Sequence, residues 1–262
     1  MYKRQLLEKR GRKYGQHFLI DEGVIDDLVG YVESLSPRLV VEVGSGFGWL
    51  TERLAGVADK VLGVEKDPRL YKIAKDRLKK YKNIELILGD ILDQELPRDA
   101  VVAGAPPYSI STPLLTRIIH YRVRNSILIL QRDFVERISR RPGDPHRSYL
   151  STLLEIFGEL HILRDVERES FYPPPKVSSQ MVRIEIYKGE VEDVEGLTKF
   201  LSTIYRHRRK KVKKVFRPLT RGEIGEWTDL KEVVEKRVFE LTSGEILKLY
   251  LRCRCRGGEK SP

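Results

Sequence analysis

Leu39-Val-Val-Glu-Val-Gly-Ser-Gly-Phe-Gly-Trp-Leu-Thr51 is the stretch whose reading decides the fold. Leu39 to Val43 is apolar except for Glu42 and rich in β-branched residues, the pattern of a strand buried on both faces of a parallel sheet. Gly44, Gly46 and Gly48 then punctuate a turn, where the missing Cβ lets backbone come close to a ligand. From Trp49 the chain enters a helix over Trp49–Leu54, whose free N–H groups point into that turn. Strand, glycine turn and helix together predict a cofactor site.

A dinucleotide fingerprint places its glycines as Gly-x-Gly-x-x-Gly, and here the third arrives one residue early, at Gly48. Gly-x-Gly-x-Gly after a strand carrying Glu42 resembles the motif of S-adenosylmethionine-dependent methyltransferases. Glycine turns also occur as plain turns, so the neighbouring strands matter. A second apolar strand, Val61 to Val64, ends in Glu65, an acceptor suited to ribose hydroxyls. A third, Ile84 to Leu88, ends in Gly89-Asp90, where a carboxylate can accept from an adenine amino group. Three strand ends converging on one nucleoside favour a methyl donor over a nicotinamide.

Outward from this nucleus, helices are expected over 22–33 (apolar stripe Val24, Ile25, Leu28, Val29, Val32), 69–81, from 112, 132–140 and 148–157. Pro68, after Asp67, suits the first turn of the second of these. Further strands are expected at 100–103, 127–130, 161–166 and 181–187. The alternation predicts an α/β, doubly wound, Rossmann-like methyltransferase sheet over 1–188, carrying a basic N-terminal arm. An acidic, glycine-containing stretch from Lys188 to Gly196 reads as a linker into a small helical, basic domain, 189–262, with helices at 194–205, 230–236 and 244–251.

Composition bounds the partners. No apolar run reaches the roughly 18 residues of a membrane span, and no signal-peptide core opens the chain, so a cytoplasmic protein is expected. Cys253 and Cys255 are too few for a disulfide framework or a four-ligand zinc site, and no metal is expected. The net charge of +11 is clustered. Lys3, Arg4, Lys9, Arg10, Arg12 and Lys13 form one group; Arg206, Arg208, Arg209, Lys210 and Lys211, continuing to Lys214, form another. Two dense clusters beside a nucleoside site favour a polyanion held by its phosphates.

Beyond the fourth strand, Gly104-Ala-Pro-Pro-Tyr-Ser109 lies at the carboxyl edge of the sheet, where ligands bind in such folds. Gly15-Gln-His-Phe-Leu19, Val41 to Gly46, Glu65, Gly89-Asp90, Pro106-Pro-Tyr108 with Ile110-Ser-Thr-Pro113, Gln131 to Arg137, Phe171 to Ser178 and Tyr205 to Lys210 occur in that order. Together they closely resemble the rRNA adenine N6,N6-dimethyltransferases, which modify two adjacent adenines near the 3′ end of small-subunit rRNA. The resemblance implies that His17, Leu19, Gly44, Glu65 and Asp90, with Gln16, Gly46, Lys66, Ile91 and Ala105 beside them, bind S-adenosylmethionine. It implies that Ala105, Pro106, Pro107 and Tyr108, facing Phe171, hold a flipped adenine. The partners it implies are small-subunit rRNA and the immature small subunit, bound by a monomer.

The residue types suit that chemistry. Adenine N6 is a poor nucleophile because its lone pair is delocalised into the ring. Acceptors taking both N6 hydrogens localise that pair, so positioning and electrostatics supply the catalysis without a strong general base. Extruding the base costs a few kcal/mol, offset by aromatic stacking. One departure stands out. The family usually has Asn-Leu-Pro-Tyr where this chain has Ala105-Pro-Pro-Tyr108, so a side-chain acceptor is missing. A ribosome-assembly factor with little or no catalysis is therefore the alternative expectation.

Overall fold

The computed structural model describes residues 17–187, 191–216 and 230–256. Gln16, the arm residues Lys9, Arg10, Arg12 and Lys13, and Lys188 lie outside the described residues. These fall into two compact units. The first runs up to Val135 and resumes over Gly158–Tyr187; the second joins Glu136–Phe157 to the helices that follow Tyr187. The sequence pattern assigns 136–157 to the sheet, but its helix packs its apolar face on the C-terminal helices instead.

In the first unit the strands are β1 (Phe18–Leu19), β2 (Leu39–Val43), β3 (Lys60–Glu65), β4 (Ile84–Leu88), β5 (Val101–Gly104), β6 (Asn125–Gln131), β7 (Gly158–Val166), β8 (Phe171–Tyr172) and β9 (Ser179–Ile186). Seven of them form one sheet in the order β4-β3-β2-β5-β6-β9-β7. β4 through β6 in that order are parallel, while β9 runs antiparallel to both β6 and β7. The chain winds outward from β2 to β4 and then returns beside β2 as β5. The order therefore reverses between β2 and β5, the crevice where α/β sheets bind ligands.

Helices α1 (Glu22–Glu33), α2 (Trp49–Leu54), α3 (Pro68–Leu78), α4 (Ser111–His120) and the start of α5 (Arg132–Ile138) belong to this unit. α1 begins where the Asp21 carboxylate accepts from the N–H groups of Gly23 and Val24, and it buries Val24, Leu28 and Val32 against β2, β5 and β6. Each such side chain contributes about 1.5–3 kcal/mol relative to exposure. Asp67 caps α3, with Pro68 at the first position as expected. The sheet's helices and strands differ from the sequence expectation mainly by a few residues at their ends. The β1–β8 ribbon has no signal in the sequence pattern; it pairs Phe18 with Tyr172 and Leu19 with Phe171.

The second unit contains α6 (Tyr149–Phe157), α7 (Val194–Tyr205), α8 (Val212–Phe216), α9 (Lys231–Glu235) and α10 (Ser243–Arg256). Arg147 is fully buried in it, its guanidinium donating to the Leu241 carbonyl and, at 2.7 Å, to Glu155. Ser243 also donates to Glu155, at 2.6 Å, so a charge that would be costly alone is paired and hydrogen-bonded.

Candidate active site

The glycine turn is shaped from several sides. Gly44, Gly46 and Gly48 all have positive φ, at 78°, 55° and 79°. A Cβ on Gly48 would meet Leu78 of α3 at 2.8 Å, so this glycine admits the close approach of α2 and α3. A Cβ on Gly44 would meet nothing within 4 Å, because that side faces open space. Glu65, at the end of β3, is buried and accepts from the Gly46 N–H and the Asp67 N–H, each at 2.8 Å. Burial raises its pKa, and those N–H groups partly offset the rise. One carboxylate thus ties the glycine turn to the start of α3. At the end of β4, Asp90 accepts from the Leu92 N–H at 2.9 Å and from Lys66 Nζ at 2.7 Å. The lysine bond is the main reason its pKa lies below the usual carboxylate range.

These groups line a cavity of about 370 Å³ at the β2/β5 switch. His17, Leu19, Gly44, Gly46, Glu65, Lys66, Asp90 and Ile91 line it, and so do Ala105, Pro106, Pro107, Tyr108 and Phe171. Every described residue expected to bind cofactor or adenine therefore faces one space, though widely separated in the chain.

The strand-end turn is stiff. Gly104 has φ +139°, and a Cβ there would meet the Val43 carbonyl at 3.0 Å, so β5 lies tight against β2 where the cavity opens. Tyr108 follows the two prolines, and its hydroxyl is 2.7 Å from Ser179 Oγ, a fully buried side chain at the start of β9. Burial pushes the Tyr108 phenol up. His17 stacks on Tyr108, ring centroids 5.9 Å apart and planes 25° from parallel. Phe171 is 3 % exposed and belongs to the sheet's core while also lining the cavity.

Glu42 stands out in the sequence only as part of a motif, yet it lines the cavity floor at 1 % exposure. Its Oε2 and the hydroxyl of Ser45 are buried without a hydrogen-bond partner among the described residues. Burial, with some help from nearby Glu65, pushes the Glu42 carboxyl up to about 8 despite the Thr51 hydroxyl. Phe18 and Trp49, also lining, pack around Phe47 at ring distances of 5.0 and 4.9 Å. A polar residue inside an otherwise apolar buried strand is the signal available for Glu42; nothing local singles out Phe18 or Trp49.

S-adenosylmethionine fits this donor set. Its ribose hydroxyls, adenine amino group and ammonium are all donors, and the cavity presents Glu65, Asp90, the unpartnered Oε2 of Glu42 and a turn open at Gly44. A sheet whose parallel strands carry a glycine turn at the switch point and acidic ends around a nucleoside-sized cavity defines a Rossmann-like methyltransferase.

Within that class, the chain belongs to the ribosomal RNA adenine dimethylase family, whose sequence model matches residues 7–252. It is 36 % identical over 241 residues to the ribosomal RNA small subunit methyltransferase A of Thermotoga maritima, covering 92 % of this chain and 84 % of that one. A probable ribosomal RNA small subunit methyltransferase A of Pyrococcus abyssi is 33 % identical, with 92 % and 91 % covered. Among solved structures, a dimethyladenosine transferase from Plasmodium falciparum superposes with TM-score 0.78 at 27 % identity, over 92 % of this chain and 98 % of that one. The 23S rRNA methyltransferase ErmE gives 0.66 at 25 %, over 90 % and 99 %.

In the second unit, Arg206, Arg209, Lys210 and Lys211 are exposed, and Arg208 is half-buried with its Nε donating to the Pro145 carbonyl at 3.0 Å. Backbone bonds from Val238 to the Lys210 carbonyl and from Phe239 to the Arg208 carbonyl hold the segment in place. Lys211 is paired with Glu235 at 2.9 Å, a detail the charge run does not disclose. No described helix is long and apolar enough to cross a membrane.

Proposed function

We propose that this protein is an S-adenosylmethionine-dependent methyltransferase that dimethylates N6 of adjacent adenines near the 3′ end of small-subunit rRNA. The observation that carries the reading is the single cavity shared by the acidic strand ends and the Pro106–Tyr108 turn. Bound there, S-adenosylmethionine would supply a methyl group made electrophilic by its sulfonium. Glu65 would take ribose hydroxyls while holding the glycine turn, Asp90 would take the cofactor's adenine amino group, and Leu19, Ile91 and Gly44 would line the cofactor's space. At the other end Tyr108 and Phe171 would stack the extruded base, and the Pro106 carbonyl would accept one N6 hydrogen. A built acidic cavity has no use in a protein that only binds rRNA, so the assembly-factor reading is not favoured.

Arg206, Arg208, Arg209 and Lys210, with the arm residues Lys9, Arg10, Arg12 and Lys13, are assigned to rRNA phosphates. Lys211 contributes less because Glu235 already holds it. The substrate is taken to be the immature small subunit, and the protein to act as a cytoplasmic monomer.

Incubation with labelled S-adenosylmethionine and unmodified small subunits tests the reading: label is expected in N6-methylated adenines, and rRNA without label refutes it. Replacing Arg206, Arg209 and Lys210 with glutamine should weaken subunit binding and reduce the slope of log affinity against log salt by about two, at roughly 0.7–0.9 for each phosphate no longer neutralised. An unchanged slope refutes the assignment of this segment.

A further inference from the structure

We propose that His17 is a catalytic residue: its Nε2 accepts one N6 hydrogen of the target adenine and receives the proton released on methyl transfer. The inference rests on the methyltransferase reading above, but it reassigns His17 from the cofactor, where the family resemblance puts it, to the substrate.

The tautomer supplies the first argument. His17 Nδ1 lies 2.6 Å from the Pro173 carbonyl oxygen. A carbonyl has no hydrogen to give, so Nδ1 carries the proton and donates it. In a neutral ring the remaining lone pair then sits on Nε2, which has no hydrogen-bond partner among the described residues. The β1–β8 ribbon, which brings His17 to Pro173, therefore leaves the neutral form of this cavity-lining ring with an acceptor, not a donor, as its free nitrogen.

The second argument is location. The His17 ring stacks on that of Tyr108, whose hydroxyl is fixed by buried Ser179. An acceptor of set tautomer thus sits beside the ring assigned to hold the purine.

The third is scarcity. A purine amino group held here needs two acceptors, and no side chain from Ala105 to Pro107 can accept, while Glu42 Oε2, unpartnered in the lining, is assigned to the cofactor. The carboxylates at the far end are engaged, Glu65 by Gly46 and Asp67, Asp90 by Leu92 and Lys66. Pro106 takes one hydrogen and His17 the other. The N6 lone pair forms the new N–C bond while the methyl–sulfur bond breaks with its electron pair left on sulfur. N6 sheds its positive charge by giving a proton to Nε2, and the imidazolium returns that proton to water.

The test compares wild type, His17→Phe, His17→Gln and the double variant His17→Phe/Ala105→Asn. For each, single-turnover transfer of labelled methyl to unmodified small subunits is measured alongside calorimetric affinity for S-adenosylmethionine. Phenylalanine keeps the ring against Tyr108 but removes the acceptor, so the rate should fall by about 10²–10³ with cofactor affinity nearly unchanged. Glutamine restores an acceptor and should recover at least tenfold over phenylalanine. A carboxamide at 105 should do the same in the phenylalanine background. The proposal is overturned if His17→Phe turns over like wild type, if cofactor affinity falls in step with the rate, or if neither substitution restores transfer. Failure of wild type to label rRNA would instead overturn the proposed function.

Discussion

The two ends of the cavity are built on different principles. At the end formed by β2, β3 and β4, the polar groups are carboxylates held by backbone N–H groups of neighbouring turns: Glu65 by Gly46 and Asp67, Asp90 by Leu92. At the end formed by β5 and the β1–β8 ribbon, the groups are held by partners far away in the chain: Tyr108 by Ser179, His17 by Pro173. The first end is fixed by the fold of one contiguous stretch, so any chain with that motif builds it. The second depends on which side chains the ribbon and β9 deliver, and there one reaction or substrate can be told from another. On the proposed assignment, nucleoside recognition is inherited with the sheet, and the chemistry performed on the acceptor depends on groups that the ribbon and β9 hold in place.

The sharpest challenge to this contrast is Glu65→Ala. Two buried N–H groups would lose their acceptor, at about 1–3 kcal/mol each, and the glycine turn its tie to α3. Affinity for S-adenosylmethionine should drop by about 10² or more in calorimetry. An affinity within a few fold of wild type would show that the turn does not need the carboxylate.

Glu42→Gln probes the floor between the ends. With its carboxyl raised to about 8 from an ordinary 4.5, folded Glu42 keeps a proton that the unfolded chain has lost throughout that window. The folded state binds more protons there, so stability falls as pH rises, by at most about 1.4 kcal/mol per pH unit. Glutamine cannot titrate, so urea denaturation of the variant should lack that component of the slope between pH 5 and 8; equal slopes would rule it out. The smallest effect is expected at the other end. Because Pro106 and His17 would already take both N6 hydrogens, Ala105→Asn in otherwise native protein should change the single-turnover rate by no more than a few-fold, and a rise of about tenfold or more would count against His17 as the second acceptor.

Legibility in the sequence follows the same division. The Leu39–Leu54 nucleus, Glu65 and Asp90 are readable because strand, turn and helix signals are local and the carboxylates stand at strand ends. Tyr108 and Phe171 come only from ordered resemblance, since neither carries a local mark separating it from a core aromatic. Glu42's isolation and His17's tautomer are not readable at all, for each depends on what lies opposite in space. The same holds for residues 136–157, whose apolar face suits the sheet equally well until its partners are known. Lys211 repeats the lesson on the surface: a run of positive charge does not say which member is already neutralised by Glu235.

Gly63 lies in the middle of β3, paired with Glu42 of β2. A Cβ there would lie 2.4 Å from Ser45 Oγ and 2.7 Å from Leu86. One carbon added beneath the glycine turn would press on the cavity-lining Ser45, so the Ser45 and Leu86 side chains would have to shift. The site is therefore vulnerable to bulk from below as much as to lost charge from within, and a scan confined to lining residues would miss its most exacting steric requirement.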